Sequence, residues 1–196
     1  MKRSGSHSGS GPRILGGRLR GRRLQVAKGV RPSESRLREA LFSIWLGQLE
    51  ASRFLDLFAG SGAVGLEALS RGAHHVTFVE RAAPVVAALR RNLRLAPADS
   101  TTLWRASLPD GLDARPEWGP FDLIFADPPY RFTQYPELVQ RAIGWLAPGG
   151  ELVIEHSRRV ELAPSVAAGQ RCDHRCYGDS CLSFFRSSSE RQAPAH

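Results

Sequence analysis

Phe54-Leu55-Asp56-Leu57-Phe58-Ala59-Gly60-Ser61-Gly62-Ala63-Val64-Gly65 is the stretch on which the fold turns. It opens as an apolar run broken by one acid and passes into small residues. It continues as Ala63-Val64-Gly65-Leu66-Glu67-Ala68-Leu69, a helical pattern. Strand, glycine turn and helix is the order this predicts. The glycines let backbone N–H groups at the helix start come close to a ligand. Asp56, near the strand's end, can receive a cationic group of that ligand. The spacing Gly60-x-Gly62-x-x-Gly65 also fits the dinucleotide fingerprint, so the loop by itself indicates a nucleotide-like cofactor without choosing one.

The same alternation continues downstream. His75-Val76-Thr77-Phe78-Val79 reads as a second strand and ends in Glu80, where an acid can hold a ribose by its hydroxyls. Ala83 to Leu95 reads as a helix with Val86, Leu89 and Leu93 inward and Arg90, Arg91 and Arg94 on a solvated face. Thr101 to Ala106 is a third strand, followed by Ser107-Leu108, where backbone groups can meet an adenine. Phe121 to Ala126 is almost continuously apolar, as buried parallel strands are. It delivers Asp127-Pro128-Pro129-Tyr130 at its C-terminal end, the edge at which open parallel sheets bind ligands. Pro136 to Leu146 is a further helix, Glu151 to His156 a fifth strand. Arg171 to Tyr177 and Cys181 to Phe185 flank Gly178-Asp179-Ser180 as an antiparallel hairpin. The expected fold is therefore α/β, a Rossmann-like parallel sheet with helices on both faces and an antiparallel C-terminal hairpin.

Asp127 to Tyr130 narrows the chemistry. An amine on an aromatic base is a poor nucleophile because its lone pair is delocalised into the ring. A site that methylates it must draw its two N–H groups out of conjugation. Asp127 offers a carboxylate acceptor, and Pro128 a carbonyl with no competing N–H. Two prolines stiffen the turn that holds both. Tyr130 can stack on the base, a contact worth about 1–3 kcal/mol. A sulfonium methyl donor is already activated, so positioning carries most of the rate. A carboxylate also favours the positive charge that develops on the nitrogen.

Upstream of the sheet the chain changes character. Nine of the 27 cations precede the first acid, Glu34, and the other 18 face 19 acids. The net charge of +8 is thus an N-terminal device on a near-neutral body. Arg13, Arg18, Arg20, Arg22 and Arg23 interleave with apolar residues and glycines, which predicts a short basic β-hairpin. Such an arm fits a polyanion, most simply a nucleic acid, and arginine grips phosphates with a planar fork. The backbone bends at Gly29-Val30-Arg31-Pro32. Ser33 can cap a helix from Glu34 to about Leu49, with Leu37, Leu41, Ile44, Trp45 and Leu49 inward. Arg36, Arg38 and Glu39 lie off most of that stripe. Arg36 opposes the helix dipole there, which leaves it a ligand-facing role or plain solvation.

At 196 residues and 42% hydrophobic content, the chain is expected to form one globular domain with a good core. Its Ser/Gly-rich start lacks the apolar segment of a secretion signal and no run approaches membrane-spanning length, so a cytoplasmic protein without membrane contact is expected. Cys172, Cys176 and Cys181, an odd number, read as reduced thiols. Cys172, His174 and Cys176 would share one face of a strand, but no second ligand pair has finger-like spacing, and no metal is expected.

The pair Asp56-Leu57-Phe58-Ala59-Gly60-Ser61-Gly62 and Asp127-Pro128-Pro129-Tyr130 resembles the S-adenosylmethionine-dependent amino-methyltransferases. More narrowly, the chain resembles the bacterial small-subunit ribosomal RNA guanine-N2 methyltransferases, the RsmD family. The likeness runs from about Arg13 to Arg186. It includes Arg13-Ile14-Leu15-Gly16-Gly17, Arg38-Glu39-Ala40-Leu41-Phe42, Gly65 to Ala73 and Tyr177-Gly178-Asp179-Ser180. This resemblance implies a class I methyltransferase that binds S-adenosylmethionine, releases S-adenosylhomocysteine and needs no metal. Asp56, Phe58, Ala59, Gly60, Ser61, Gly62, Glu80, Arg81, Ser107 and Leu108 would form the cofactor site. Asp127 and Pro128 would hold a guanine amine, with Pro129 stiffening the turn and Tyr130 against the ring. Arg13, Arg18, Arg20, Arg22, Arg23, Arg31 and Arg36 would hold RNA. The implied partner is ribosomal RNA or a small-subunit assembly particle, and the protein a monomer. Residues 1–12 would be a disordered leader, 13–31 the arm, 32–187 the methyltransferase domain and 188–196 a disordered tail. Departures from the family pattern are Ser107, where an acid or amide often stands, the Ser33 to Ser35 loop, and a short segment before the hairpin. A DNA adenine-N6 or cytosine-N4 methyltransferase, a nicotinamide-dependent oxidoreductase and a non-catalytic RNA-binding module remain as competing readings.

Overall fold

The computed structural model describes residues 11–27, 35–113 and 119–188. Among them one eight-stranded sheet runs through the molecule. Its strands are β1 (Arg53–Leu57), β2 (His75–Val79), β3 (Thr101–Trp104), β4 (Phe121–Ala126), β5 (Leu146–Ser157), β6 (Ser165–Val166), β7 (Gly169–Tyr177) and β8 (Ser180–Ser187). The helices are α1 (Ser35–Ile44), α2 (Ala63–Ser70), α3 (Ala83–Leu93) and α4 (Tyr135–Ile143). The strand order is β3-β2-β1-β4-β5-β8-β7-β6. The first five strands are mutually parallel, and β8, β7 and β6 close the sheet antiparallel. The order reverses between β1 and β4, so a crevice opens there at the C-terminal ends of the strands.

The parallel strands are apolar on both faces because both are covered. Phe54, Val76, Phe78, Leu123, Phe125 and Val153 pack with α1, α2 and the arm residues Ile14 and Leu24. Leu55, Leu57, Ile124, Leu152, Ile154 and Phe185 pack with α4 through Leu138, Val139 and Ala142. Two glycines make the α2 side close. A Cβ on Gly62 would lie 2.5 Å from Leu89 Cδ1, and one on Gly65 would run into the Phe78 ring. The turn can approach α3, and α2 can approach β2, only because these side chains are missing.

Element boundaries differ from expectation in ways that have local causes. The first helix ends at Ile44, not near Leu49. Trp45 turns inward to donate its indole N–H to Glu151 Oε2 at 3.0 Å, and Gly47 follows at φ +84°. The third strand stops at Trp104, short of Ala106, before a turn in which Gly111 N–H donates to Ser107 O at 2.7 Å. The fifth strand starts five residues earlier than its apolar run, because the Pro148-Gly149-Gly150 segment is absorbed with a register shift. The short segment before the hairpin holds β6 and no helix.

The arm folds back as a minimal antiparallel hairpin, with Ile14 N–H donating to Arg22 O at 3.0 Å, Leu24 N–H to Pro12 O at 2.9 Å and Gly21 N–H to Ile14 O at 2.9 Å. It has one isolated bridge, Arg13 with Arg23, and tight turns between them. Gly17 and Gly21 have φ of +70° and +82°, which turns the chain back on itself within a few residues and keeps the pairing short. Gly11 and Pro12, expected in the leader, belong to the folded part: Pro12 is buried and accepts Leu24 N–H at 2.9 Å. Ser188, expected in the tail, donates its N–H to Ala168 O at 2.6 Å. The bend at Gly29 to Pro32, the Ser33 cap and Arg31 lie outside the described residues.

The cysteines also differ. Cys176 and Cys181 face each other across the β7–β8 turn, Cα atoms 4.0 Å apart, and form a disulfide. Cys172 falls at the register shift of β7, exposed and free. His174 Nε2 sits 3.3 Å from Cys176 Sγ. The expected set of three reduced thiols is thus replaced by one bonded pair and one free thiol.

Candidate active site

β1 and β4 are hydrogen-bonded neighbours with Leu57 opposite Ala126, so the two loops that follow them must emerge side by side. Asp127 N–H still reaches Leu57 O at 3.4 Å. Glu80, at the end of β2, completes the rim from the other side, its Oε2 accepting Gly60 N–H at 3.1 Å. Sequence-distant segments 56–62, 80–81 and 127–130 therefore share one edge.

The glycine turn is shaped for contact. Phe58 has φ +60°, a left-handed conformation that strains a non-glycine residue. Gly60 follows at φ +56°. A Cβ on Gly60 would meet nothing nearer than Phe58 O at 3.9 Å, so this glycine, unlike Gly62 and Gly65, faces open space. That cradle, with a carboxylate at the next strand end, suits a nucleoside-bearing ligand.

The electrostatics of this edge are acidic. Asp56 is 2% exposed and accepts Gly65 N–H at 2.9 Å. Burial pushes its carboxyl well above the ordinary range; that hydrogen bond opposes the rise, and the charges of Asp127 and Glu80 add to it. Burial also raises Asp127, to about 6. Behind Asp127, burial and then the Asp127 charge push the Tyr135 hydroxyl up. Glu80 Oε1 takes the N–H groups of Arg81 and Ala82, both at 2.9 Å, at the start of α3. Glu80 and ionised Asp127 at this edge favour a ligand or transition state that carries positive charge.

Around them stands an aromatic wall. Phe132 packs edge-to-face on Phe58 and on Tyr135, with centroids 5.3 and 5.1 Å apart. Pro128 is buried, Pro129 exposed, and Tyr130 is 80% exposed at the mouth, free to receive a planar group. Ala59 is buried and Ser61 half-buried in the turn; Ser107 is exposed and Leu108 packs beneath it in the α4-side core.

Residues 12–186 match the family model described as Conserved hypothetical protein 95. The chain is 38% identical over 156 residues to Ribosomal RNA small subunit methyltransferase D of Escherichia coli K12, covering 76% of this chain and 77% of that one. The chain belongs to the small-subunit ribosomal RNA methyltransferase D family. A further relative is the putative rRNA methyltransferase YlbH of Bacillus subtilis, 35% identical over 181 residues, or 89% of this chain and 98% of that one. A solved Escherichia coli structure described as a putative methyltransferase superposes with a TM-score of 0.79 at 32% identity, covering 90% of this chain and 97% of the other. The fold is that of the class I methyltransferases.

Arg13, Arg18, Arg20, Arg22 and Arg23 are all exposed, and so is Arg36 on the first turn of α1. Arg38, expected on the outer side of α1, is buried instead and donates from Nη2 to Arg13 O at 3.1 Å. The sequence reading missed the residues that dock the arm. Glu67 is fully buried on α2 and accepts Leu15 N–H and Gly16 N–H at 2.6 and 2.7 Å. Ser70 Oγ accepts Leu19 N–H at 2.8 Å. Asn92 takes a core position on α3 where Leu93 was expected, and Leu93 is only partly buried. The signal was present: Glu67 is a lone acid in an apolar helix, and Asn92 follows Val86 and Leu89 at three-residue spacing.

Proposed function

We propose that this protein transfers a methyl group from S-adenosylmethionine to the exocyclic N2 amine of a guanine in small-subunit ribosomal RNA. The observation that carries this reading is the adjacency of Asp127 to the glycine turn at the reversal point of the sheet. Family membership supports the ribosomal RNA substrate.

When bound, S-adenosylmethionine supplies a sulfonium methyl and departs as S-adenosylhomocysteine. The open side of Gly60 and the Phe58 residue would receive it, with Ala59, Ser61 and Gly62 shaping the turn. Glu80 takes ribose hydroxyls, and Arg81, Ser107 and Leu108 border the base. Asp56 braces the start of α2, accepting Gly65 N–H, and so would hold the turn that lines the methionine end. The flipped guanine stacks on Tyr130. Asp127 carboxylate and Pro128 carbonyl accept the two N2–H bonds and turn the nitrogen lone pair toward the methyl carbon, while Pro129 keeps the turn stiff. The new N–C bond leaves a positive nitrogen, which the ionised Asp127 stabilises and from which it can take the surplus proton. No metal is needed, because the leaving group is a neutral thioether.

The division into an arm (13–31) and a methyltransferase domain (32–187) belongs to the same reading, with the arm and Arg36 gripping RNA or a small-subunit assembly particle. We take the enzyme to act as a cytoplasmic monomer. No helix among the described residues is long and apolar enough to cross a membrane.

The test is transfer of labelled methyl to ribosomal RNA from a strain lacking the activity, with duplex DNA offered in parallel. Label recovered as N2-methylguanine supports the reading. Label in adenine or cytosine of DNA would overturn it in favour of a DNA amino-methyltransferase.

A further inference from the structure

Building on that proposed function, we infer that Asn92 is a positioning residue that couples the basic arm to the cofactor turn, so that RNA held by the arm tightens the cofactor site. The Asn92 side chain is 3% exposed and fully engaged. Its Nδ2 donates to Ser61 O and to Gln25 O, both at 2.9 Å, and its Oδ1 accepts Gln25 N–H at 2.8 Å. Ser61 lies between the two glycines of the cofactor turn. Gln25 lies two residues beyond Arg23. One carboxamide thus pairs with the arm's backbone as a strand residue would, and spends its remaining proton on the cofactor turn.

The pattern of donors and acceptors explains why the residue is asparagine. Aspartate could accept Gln25 N–H but could donate to neither carbonyl, leaving two acceptors facing a buried charge. An apolar residue would satisfy none of the three groups. Each unmet buried group costs about 1–3 kcal/mol, so Gln25 and Ser61 hold or lose their places together. The neighbouring Arg91 reinforces the junction: its Nε donates to Gln25 Oε1 at 2.6 Å. Ordering of the arm by RNA therefore orders the Ser61 peptide in advance, and a cofactor that fixes the turn orders the arm. Linkage makes the two effects equal.

Calorimetric titration with S-adenosylhomocysteine and an in-vitro transcript of small-subunit ribosomal RNA tests this. Each is titrated alone and with the other saturating. The wild type should show each ligand lowering the other's Kd by the same factor, about fivefold or more. Asn92→Asp should still bind each ligand alone while that factor falls to about 1. A wild-type factor of 1, or an undiminished factor in Asn92→Asp, overturns the coupling. Should the variant fail to fold, hydrogen exchange on the unaltered protein decides: S-adenosylhomocysteine alone must slow exchange across residues 22–27, and unchanged exchange there overturns the coupling. Failure of S-adenosylhomocysteine to bind the wild type, or of both the transcript and small-subunit assembly particles to do so, would instead overturn the proposed function. Binding of both ligands without mutual effect overturns the coupling and leaves the proposed function standing.

Discussion

Asp127 is asked to do opposing things. Its ordinary value near 3.8 is lifted to about 6 by burial, yet its work as an acceptor requires the ionised form. Methyl transfer should therefore fall as pH drops through about 6, and a pH–rate profile under single-turnover conditions should show that limb. In Asp127→Asn the limb should disappear and kcat should drop by about 10²–10³, the usual consequence of removing one charge-stabilising group. S-adenosylhomocysteine affinity should change only a few-fold. The same shift has a sign for stability. The folded state holds this proton more tightly than the unfolded chain, so ionisation destabilises the fold progressively as pH rises from about 4 to 6 and fully above it. Asp127→Asn should accordingly raise the melting temperature at pH 8 by a few degrees; a lowered value would contradict that expectation. The acceptor pair was legible in the sequence because Asp127-Pro128-Pro129-Tyr130 ends an apolar strand. Arg38 was not, because a guanidinium at a helix position reads as solvated until a partner carbonyl, here that of Arg13, is brought from another part of the chain.

At the level of elements, the three glycines of the turn have different tasks and should fail differently. Gly65→Ala pushes a methyl group into the Phe78 ring and Gly62→Ala sets one against Leu89, so both should lower unfolding stability, by about 1–3 kcal/mol for the overpacking alone. Gly60→Ala adds no clash. It should cost about 1–2 kcal/mol for its left-handed backbone and should weaken S-adenosylhomocysteine binding more than the other two do. Chemical denaturation and calorimetry on the three variants would show whether affinity and stability separate this way. The alternation of strand and helix was readable from periodicity, since the buried parallel strands are almost uniformly apolar. The arm's attachment was not. Beside the bonds across the arm itself, the N–H groups of Leu15, Gly16, Leu19 and Gln25 find acceptors on α2 and α3, and a short basic sequence gives no hint that Glu67, Ser70 and Asn92 will receive them.

Across the whole molecule, the basic arm and the glycine turn are joined through α3, where Asn92 bonds both Gln25 and Ser61. Replacing Arg18, Arg20, Arg22 and Arg23 by glutamine should weaken RNA binding and reduce the salt slope by about 0.7–0.9 for each phosphate that the arm no longer neutralises. Affinity for S-adenosylhomocysteine without RNA should stay unchanged; a salt slope equal to the wild type's would remove the arm from the RNA path. The charge imbalance that locates this surface was visible in the order of the residues, whereas its attachment depends on contacts spanning about 50 residues of sequence, as between Leu15 and Glu67. That attachment limits transplantation. Because Ile14 and Leu24 plug the core and Glu67 caps the arm's own amides, a chimaera receiving residues 11–27 from a relative must also inherit matching sockets on the two helices beneath. Exchange of the arm alone should yield a poorly soluble protein, and exchange together with positions 67, 70 and 92 a soluble one.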